Sequence, residues 1–287
     1  MADQDPDRPS ISGPADGDLP WKPREIDITV AHPARRYDYW LGGKDHYPAD
    51  RASGDAVAAV FPTVRTAVRE NRRFLGRAVR FLAGPAGVDQ FLDIGTGIPT
   101  ADNTHEVAQQ VNPAASVVYV DNDPTVLAHA RALLTSDGSQ GTTAYIDADL
   151  RDPERILGDP ALKGTLDLSR PVALMLVAVL HFVTDEYSPY DIVRTLTKAL
   201  APGSYLVMSH GTNDFIPKET LESFDMDPRK HGDLRPRTRE EFTRFFTGHD
   251  LVLPGIVSVA EWRSDEESFP RPTAEAVSTY GAVARIR

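Results

Sequence analysis

The sequence predicts an α/β fold built on a largely parallel sheet, and three observations support this prediction. An apolar segment at residues 88–94 runs into a Gly-Thr-Gly turn at residues 95–97, and a helix follows it. Beyond that turn, apolar segments alternate with helical patterns through five βα units. The last two apolar segments, residues 251–259 and 279–286, have no helical pattern between them, so we expect them to pair antiparallel.

Seven strands are predicted, at residues 88–94, 116–120, 142–146, 171–180, 204–209, 251–259 and 279–286. The fourth is apolar throughout, which is typical of a strand at the centre of a parallel sheet covered on both faces. The helices are predicted at residues 62–83, from about 103, and at 125–134, 188–200 and 239–246. Capping boxes indicate where two of them begin, since Asn103 precedes Glu106 and Thr238 precedes Glu241 by three residues.

Composition excludes several classes of protein. Lys plus Arg number 31 and Asp plus Glu number 42, so the formal net charge of −11 disfavours nucleic acid and anionic membranes as partners. The absence of cysteine excludes disulfides, thiolate nucleophiles and cysteine-based zinc sites. The longest apolar run, residues 171–183, is too short to span a bilayer, and residues 1–25 do not resemble a signal peptide. We therefore expect a soluble, cytoplasmic protein with no bound metal.

The N-terminal part of the chain divides into two. Residues 1–25 are polar and rich in proline, and we expect a disordered tail. Residues 26–85 are predicted to form a lid and helical cap, and residues 86–287 the core domain. Residues 33–48 combine three tyrosines, a tryptophan and a Gly-Gly pair. This composition suits either a lid that faces a ligand or an aromatic cluster that packs the cap onto the core.

The helix at residues 62–83 is amphipathic, with apolar residues at helical spacing on one face. Its other face carries six arginines against one acid, Glu70. Such a stripe could dock an acidic partner or a phosphate, or it could simply be a solvated face. The six arginines are Arg65, Arg69, Arg72, Arg73, Arg77 and Arg80.

The glycine turn lacks features that a dinucleotide would need. The third glycine of the dinucleotide fingerprint is absent, and Pro99 removes a backbone donor from the turn. Asp93 stands directly before the turn, and a carboxylate ~5 Å from a phosphate would cost on the order of 3 kcal/mol at an effective dielectric near 20. The same carboxylate would favour a ligand that carries an ammonium or a sulfonium.

Acids also end the next two predicted strands, at Asp121 and Asp149. Three carboxylates at one edge of a sheet suit hydroxyls, amino groups and positive charge rather than phosphates. Asp121 lies at the position where an acid binds ribose hydroxyls in nucleotide-binding sheets. The alternative is a structural role for Asp121 as the Asx-turn residue before Pro124. Asp149 could receive an adenine amino group, or it could merely end its strand.

With these motifs, the chain resembles the class I S-adenosylmethionine-dependent methyltransferases. It is most similar to a bacterial family with an Arg-x-Tyr-Asp-Tyr-x-Leu-Gly-Gly-Lys-Asp signature, found here at residues 35–45, whose substrates are mostly unassigned. A Phe-Leu-Asp-Ile-Gly-Thr-Gly turn at residues 91–97 and a Tyr-Val-Asp-Asn-Asp-Pro stretch at residues 119–124 extend the resemblance. It implies a Rossmann-like, seven-stranded, mostly parallel sheet with an antiparallel C-terminal hairpin and an N-terminal helical cap.

The resemblance further implies S-adenosylmethionine as the cofactor, with its methionine end at the glycine turn, its ribose at the end of the second strand and its adenine at the end of the third. The residues implied for the cofactor are Asp93, Gly95, Thr96, Gly97, Asp121, Asn122, Asp149 and Leu150. The segment from Tyr37 to Tyr47 would cover the site.

Transfer from a sulfonium needs mainly an acceptor held in line and water excluded, so a base is optional. His181, at the end of the fourth strand, is the first candidate base, followed by Tyr37 and His46 in the lid. His181 could equally be a strand-end histidine satisfied by backbone, and family members often carry Asn at the position of His46. The fourth strand lacks the (Asp/Asn)-Pro-Pro-(Tyr/Trp) pattern of enzymes that methylate nucleic-acid or glutamine nitrogens, which favours a small-molecule acceptor.

Two alternatives remain open from the sequence. A nicotinamide-dependent oxidoreductase would use the same type of sheet, although Pro99 and Asp93 count against it. A non-catalytic S-adenosylmethionine-binding protein would use the arginine-rich helix to contact a partner.

Overall fold

A computed structural model of the chain describes residues 26–133, 141–216, 234–264 and 271–287. The predicted disordered tail, residues 1–25, lies outside the described residues. No helix in the described part of the chain is both long enough and apolar enough to cross a membrane.

The described residues form a single sheet, with the strand order β3-β2-β1-β4-β5-β8 and with β6 and β7 both paired to β8. Strands β1 to β5 are parallel to one another, and β8 runs antiparallel to β5. The strands are β1 (Gln90–Ile94), β2 (Ser116–Asp121), β3 (Thr143–Asp147), β4 (Ala173–Val177), β5 (Tyr205–Gly211), β6 (Asp250–Leu251), β7 (Val257–Ser258) and β8 (Thr279–Arg285). The predicted mostly parallel sheet with an antiparallel C-terminal end is confirmed.

The sheet has eight strands rather than seven because the predicted strand at residues 251–259 divides into β6 and β7. Pro254 interrupts it, since proline cannot donate to a ladder. Gly255 follows with φ +87°, a left-handed conformation that lies outside the extended region of regular strands. A four-residue helix also lies between β7 and β8, where the sequence showed no helical pattern.

Helices cover both faces of the sheet. They are α1 (Pro33–Leu41), α2 (Pro48–Val60), α3 (Val64–Ala83), α4 (Thr104–Val111), α5 (Pro124–Leu133), α6 (Pro153–Gly158), α7 (Pro160–Thr165), α8 (Pro189–Lys198), α9 (Arg239–Thr243) and α10 (Ala274–Val277). One buried cluster joins one sheet face to α3, α4 and α10, and a second joins the other face to α6, α7, α8 and α9. This is the layered arrangement predicted for a parallel sheet.

Both predicted capping boxes form. The Asn103 backbone N–H donates to Glu106 Oε2 (2.9 Å), and the Thr238 backbone N–H donates to Glu241 Oε2 (2.8 Å). The cap at Asn103 is relevant to the site, because it fixes the start of α4 directly after the glycine turn.

The arginine face of α3 is only partly the solvated surface expected from the sequence. Arg77 is buried, and its Nε donates to the carbonyl oxygen of Trp262 (2.7 Å). It therefore joins α3 to the segment after β7, and the buried cation satisfies backbone carbonyls there. The other five arginines of that face remain at least partly exposed.

Candidate active site

A cavity of about 320 Å³ opens where β1, β2 and β4 end, beneath α1 and α3. Parallel strands bring their carboxyl ends to one edge, so the segments that follow them share this space. The lining includes every residue predicted for the cofactor, together with Tyr37. No group of three or more His, Cys, Asp or Glu within the described ranges could hold a metal ion.

The turn after β1 requires glycine. Gly95 has φ +76° and Gly97 has φ +69°, a region that glycine adopts without steric cost. At Gly95 space is a second constraint, because a Cβ atom there would lie 2.3 Å from Cγ2 of Val179. The backbone N–H of Gly95 donates to the Val120 carbonyl (2.8 Å), which ties the turn to β2. The turn thus brings bare backbone to the cavity, with Thr96 in its lining between the two glycines.

Asp93, on β1, is a buried carboxylate that lines the cavity and is only 4% exposed. Its Oδ2 accepts a hydrogen bond from Thr104 Oγ1 (2.6 Å). Burial raises the pKa of Asp93 to about 6, and the Asp121 carboxylate adds to the rise, while the Thr104 bond and the charge of Arg72 oppose it. A cationic ligand beside Asp93 would supply the positive charge that stabilises a buried carboxylate in its ionised form.

Asp121 ends β2 with both carboxylate oxygens held by backbone. Oδ2 accepts from the N–H of Gly97 (2.8 Å), and Oδ1 accepts from the N–H of Asp123 (2.9 Å). Burial raises the pKa of Asp121 above its usual value, although these two hydrogen bonds oppose the rise. Each oxygen keeps a further lone pair, so the carboxylate is fixed in direction yet still able to accept from ligand hydroxyls.

The end of β3 forms a charged cluster around Asp149. Asn122 donates to its Oδ2 (2.9 Å), and Arg151 donates to both oxygens through Nε (2.9 Å) and Nη2 (2.6 Å). Burial favours the neutral acid, but these bonds prevail and lower the pKa of Asp149 to about 2. Leu150 is buried beside it and contributes an apolar surface to the cavity.

Tyr37 lines the cavity from α1, but its hydroxyl is already engaged. It donates to the Val68 carbonyl (3.0 Å) and accepts from Asn71 Nδ2 (2.9 Å). Asn71 in turn accepts from Ser209 Oγ (2.5 Å), which itself accepts from the Ala178 N–H (2.9 Å). Because burial raises the pKa of Tyr37, its hydroxyl stays protonated and serves to connect α1 to the end of β4.

The fourth strand is shorter than the predicted residues 171–180. It ends at Val177, and Ala178 follows with φ +56°, an uncommon conformation for a residue with a Cβ atom. The chain then enters a 3₁₀ turn at Leu180–Phe182. This early turn directs Phe182 and Val183 into the cavity.

His181, by contrast, is not among the lining residues. Its Nδ1 accepts from the Gly211 N–H (3.3 Å), and its ring packs edge-on against His210 at 5.6 Å between centroids. Burial, with the nearby charges of Arg237 and Arg36, lowers the pKa of His181 to about 3. The imidazole is therefore uncharged at neutral pH and a weak proton acceptor.

His46 also lies outside the cavity lining. Its Nε2 is 3.2 Å from the Gly43 carbonyl oxygen, and its Nδ1 is 3.2 Å from Arg51 Nη1. A tautomer protonated on Nε2 satisfies both contacts, so the ring holds the loop between α1 and α2.

Two buried acids that were not predicted as site residues hold α1 in place. Asp50 is fully buried and accepts from the backbone N–H of His32 (2.8 Å), from Arg35 Nε (3.1 Å) and from the backbone N–H of Tyr47 (2.8 Å). Asp123 Oδ2 lies 2.8 Å from His32 Nδ1, which joins the start of α1 to the end of β2. The start of α1 is therefore fastened to the sheet beside Asp121.

The Gly-Gly pair of the cap has a local structural explanation. Gly42 ends α1 with φ +86°, and a Cβ on Gly43 would lie 1.9 Å from Asp38 Oδ1. Asp38 is buried, lines the cavity and accepts from the Asp45 backbone N–H (2.9 Å). The glycines thus allow the chain to close tightly around this carboxylate.

Two further lining residues are cations that were not predicted as site residues, Arg72 on α3 and Arg151 after β3. Arg151 could have been suspected because it follows Leu150 directly. Arg72 could not, because no sequence signal separates it from the other arginines of its helix.

Comparisons with known proteins agree with this geometry. A family model described as S-adenosyl methyltransferase matches residues 20–287. A DUF574-family protein of Streptomyces avermitilis is 48% identical, with a TM-score of 0.85 over 92% of this chain and all of the other. A Thermobifida fusca protein of known structure is 43% identical, with a TM-score of 0.84 over 94% of this chain and all of the other.

An O-methyltransferase family protein of Burkholderia thailandensis shares the fold at 13% identity, with a TM-score of 0.51 over 86% of this chain and 63% of the other. A search of curated proteins finds no match. The lining fits the family's cofactor, since a glycine turn without a Cβ leads from a buried carboxylate, Asp93, to two further acids. The chain belongs to the S-adenosyl methyltransferase family, and its cofactor is S-adenosylmethionine.

Proposed function

We propose that this enzyme transfers the methyl group of S-adenosylmethionine to a small-molecule acceptor by in-line displacement within the cavity beneath α1. The single observation that carries this proposal is the meeting of Asp93, Asp121 and Asp149 around the glycine turn in one cavity. Carboxylates in that order suit an amino-acid tail, a ribose and an adenine. The cofactor supplies an activated methyl group on a sulfonium.

In the proposed arrangement, the chain's own residues bind and orient. Asp93 faces the cationic end of the cofactor, and Gly95 to Gly97 let the backbone approach it. Asp121, aimed by two backbone N–H groups, accepts from the ribose hydroxyls. Asp149, fixed by Arg151 and with Leu150 beside it, receives the adenine.

The cover of the cavity favours a small acceptor. Helix α1 presents Ala34, Tyr37, Asp38 and Leu41 to it, at the i, i+3, i+4 and i+7 positions of one helix face. This cover, together with the net charge of −11, argues against a nucleic-acid strand as the acceptor.

Of the three residues predicted as bases, we propose only a positioning role for Tyr37 and none in proton transfer for His181 or His46. The Tyr37 hydroxyl donates its proton to the Val68 carbonyl, accepts from Asn71 and is held protonated by burial. The displacement then depends on alignment and on exclusion of water by the cap.

The test is to incubate the full chain with S-adenosylmethionine labelled on its methyl group. A bacterial extract would be divided into small-molecule, nucleic-acid and protein fractions, and label would be followed into each. Asp121→Ala serves as the matched binding-deficient control. We expect label in the small-molecule fraction with the wild type and much less with the variant.

Label in the nucleic-acid or protein fraction alone would refute the small-molecule acceptor. Tight cofactor binding without transfer to any fraction would favour the non-catalytic alternative.

A further inference from the structure

We propose that Arg72 forms the subsite for the α-carboxylate of the cofactor, so that the enzyme recognises nucleosides with a complete amino-acid tail. This inference rests on the proposed placement of the cofactor's methionine end beside Asp93. It assigns a binding role to one arginine of α3 that the sequence alone could not distinguish from its neighbours.

The position of Arg72 is the first argument. Its side chain lines the cavity from α3. It is close enough to Asp93 and to Tyr37 for its charge to lower the pKa of both groups. The other exposed arginines of α3, such as Arg69, do not line the cavity.

The hydrogen bonding of Arg72 is the second argument. Nη2 donates to the carbonyl oxygens of Ala101 and Asp102, each at 3.0 Å, which fixes the plane of the guanidinium. Within the part of the chain that the structure describes, Nε and Nη1 donate no hydrogen bond. A guanidinium fixed on one side and unused on the other is ready to donate to a carboxylate.

Charge complementarity is the third argument. An amino-acid tail carries an ammonium and a carboxylate on the same carbon atom, and here an acid and a cation face one cavity. Asp93 suits the ammonium, and Arg72 suits the carboxylate. The pair would hold the tail in one direction, which in turn directs the sulfonium and its methyl group.

The competing explanation is that Arg72 only stabilises the loop at Ala101 and Asp102 through its two carbonyl contacts. Loss of that contact would disturb every ligand of the site, whatever its tail. Ligands that differ only in the tail therefore separate the two roles.

Calorimetric titration would compare three ligands against the wild type, Arg72→Met, Arg72→Lys and the control Arg69→Met, which removes the same charge from the exposed face of α3. S-adenosylhomocysteine has the full tail. S-adenosyl-3-thiopropylamine keeps the ammonium but lacks the carboxylate, and 5′-methylthioadenosine lacks both groups.

Loss of a charge-assisted pair predicts that Arg72→Met weakens S-adenosylhomocysteine binding by about tenfold to a hundredfold. Arg72→Lys should recover part of this loss, because it keeps the charge without the planar fork. The two ligands without a carboxylate should change by less than about threefold. Arg69→Met should bind all three ligands as the wild type does.

Equal weakening of all three ligands by Arg72→Met would overturn the inference in favour of the loop role, and so would no weakening of any. These outcomes leave the proposed function intact, because the wild type still binds. A wild type that binds none of the three ligands would instead refute the proposed function, and the inference with it.

Discussion

Replacing Asp93 by Asn should stabilise the ligand-free protein while weakening its hold on the cofactor. The carboxyl is buried, and burial raises its pKa from 3.8 to about 6. A shift of roughly 2 units corresponds to on the order of 3 kcal/mol of unfavourable free energy for the ionised form in the folded state. Asn has nearly the same shape, and its amide oxygen can still accept from Thr104 Oγ1.

The sign of the pH dependence follows from the direction of the shift. The folded state binds the Asp93 proton more tightly than the unfolded state does. Its contribution to the free energy of unfolding is therefore fully present below pH 3.8 and is lost as the pH rises through about 6. Asp93→Asn has no such loss. Its gain over the wild type should be about 0.5 kcal/mol at pH 4 and on the order of 3 kcal/mol at pH 7.5.

Urea unfolding of both proteins between pH 4 and pH 8 measures this difference directly. Asp102→Asn, an exposed carboxyl on the loop that follows the glycine turn, is the matched control and should change by less than about 0.5 kcal/mol. In the wild type, affinity for S-adenosylhomocysteine should fall as the pH drops below about 6, because the protonated acid no longer attracts the ammonium. A stability difference that is zero at pH 7.5, or that does not vary with pH, would refute the assignment of a destabilised carboxylate.

Three further substitutions test other parts of the account. Asp121→Ala should weaken S-adenosylhomocysteine binding by about tenfold or more through lost charge-assisted bonds, and an unchanged dissociation constant in calorimetry would remove Asp121 from the site. Gly95→Ala should lower the free energy of unfolding by about 1–3 kcal/mol, because Gly95 has a positive φ and an added Cβ would contact Val179. The control Gly164→Ala, at a position with open space around it, should not lower it. Equal urea midpoints for the two variants would contradict this prediction. Arg237→Met removes a buried cation that donates to two carbonyls of the turn after β4, and it should lower the free energy of unfolding by about 2–4 kcal/mol. An unchanged melting temperature would argue against this structural role of Arg237.

The local chemistry of the chain was sufficient to predict the sheet and the acidic lining of the cavity. The sequence of residues 88–97 predicts both a buried strand and the glycine turn that follows it. The acids at the ends of the next two strands were predicted in the same way. Such features depend on neighbours in sequence, so a sequence pattern can carry them. The capping boxes at Asn103 and Thr238 were predictable for the same reason.

Features that depend on distant contacts were not predictable. Arg77 and Arg72 lie on one helix and look alike in sequence, yet one is buried against the Trp262 carbonyl and the other faces the cavity. His181 was expected at the end of a longer strand, but the backbone leaves the sheet at Ala178, where Ser209 accepts its N–H. That bond joins residues 31 positions apart, and no local pattern encodes it.

In the arrangement proposed above, S-adenosylmethionine binds between the glycine turn and α1. A crystal structure of the full chain with S-adenosylhomocysteine tests it most directly. We expect the adenine beside Leu150, the ribose hydroxyls within hydrogen-bond distance of Asp121 and the amino-acid tail between Asp93 and Arg72. Density for the nucleoside at any other position, with Asp121 making no contact to a ribose, would contradict the account.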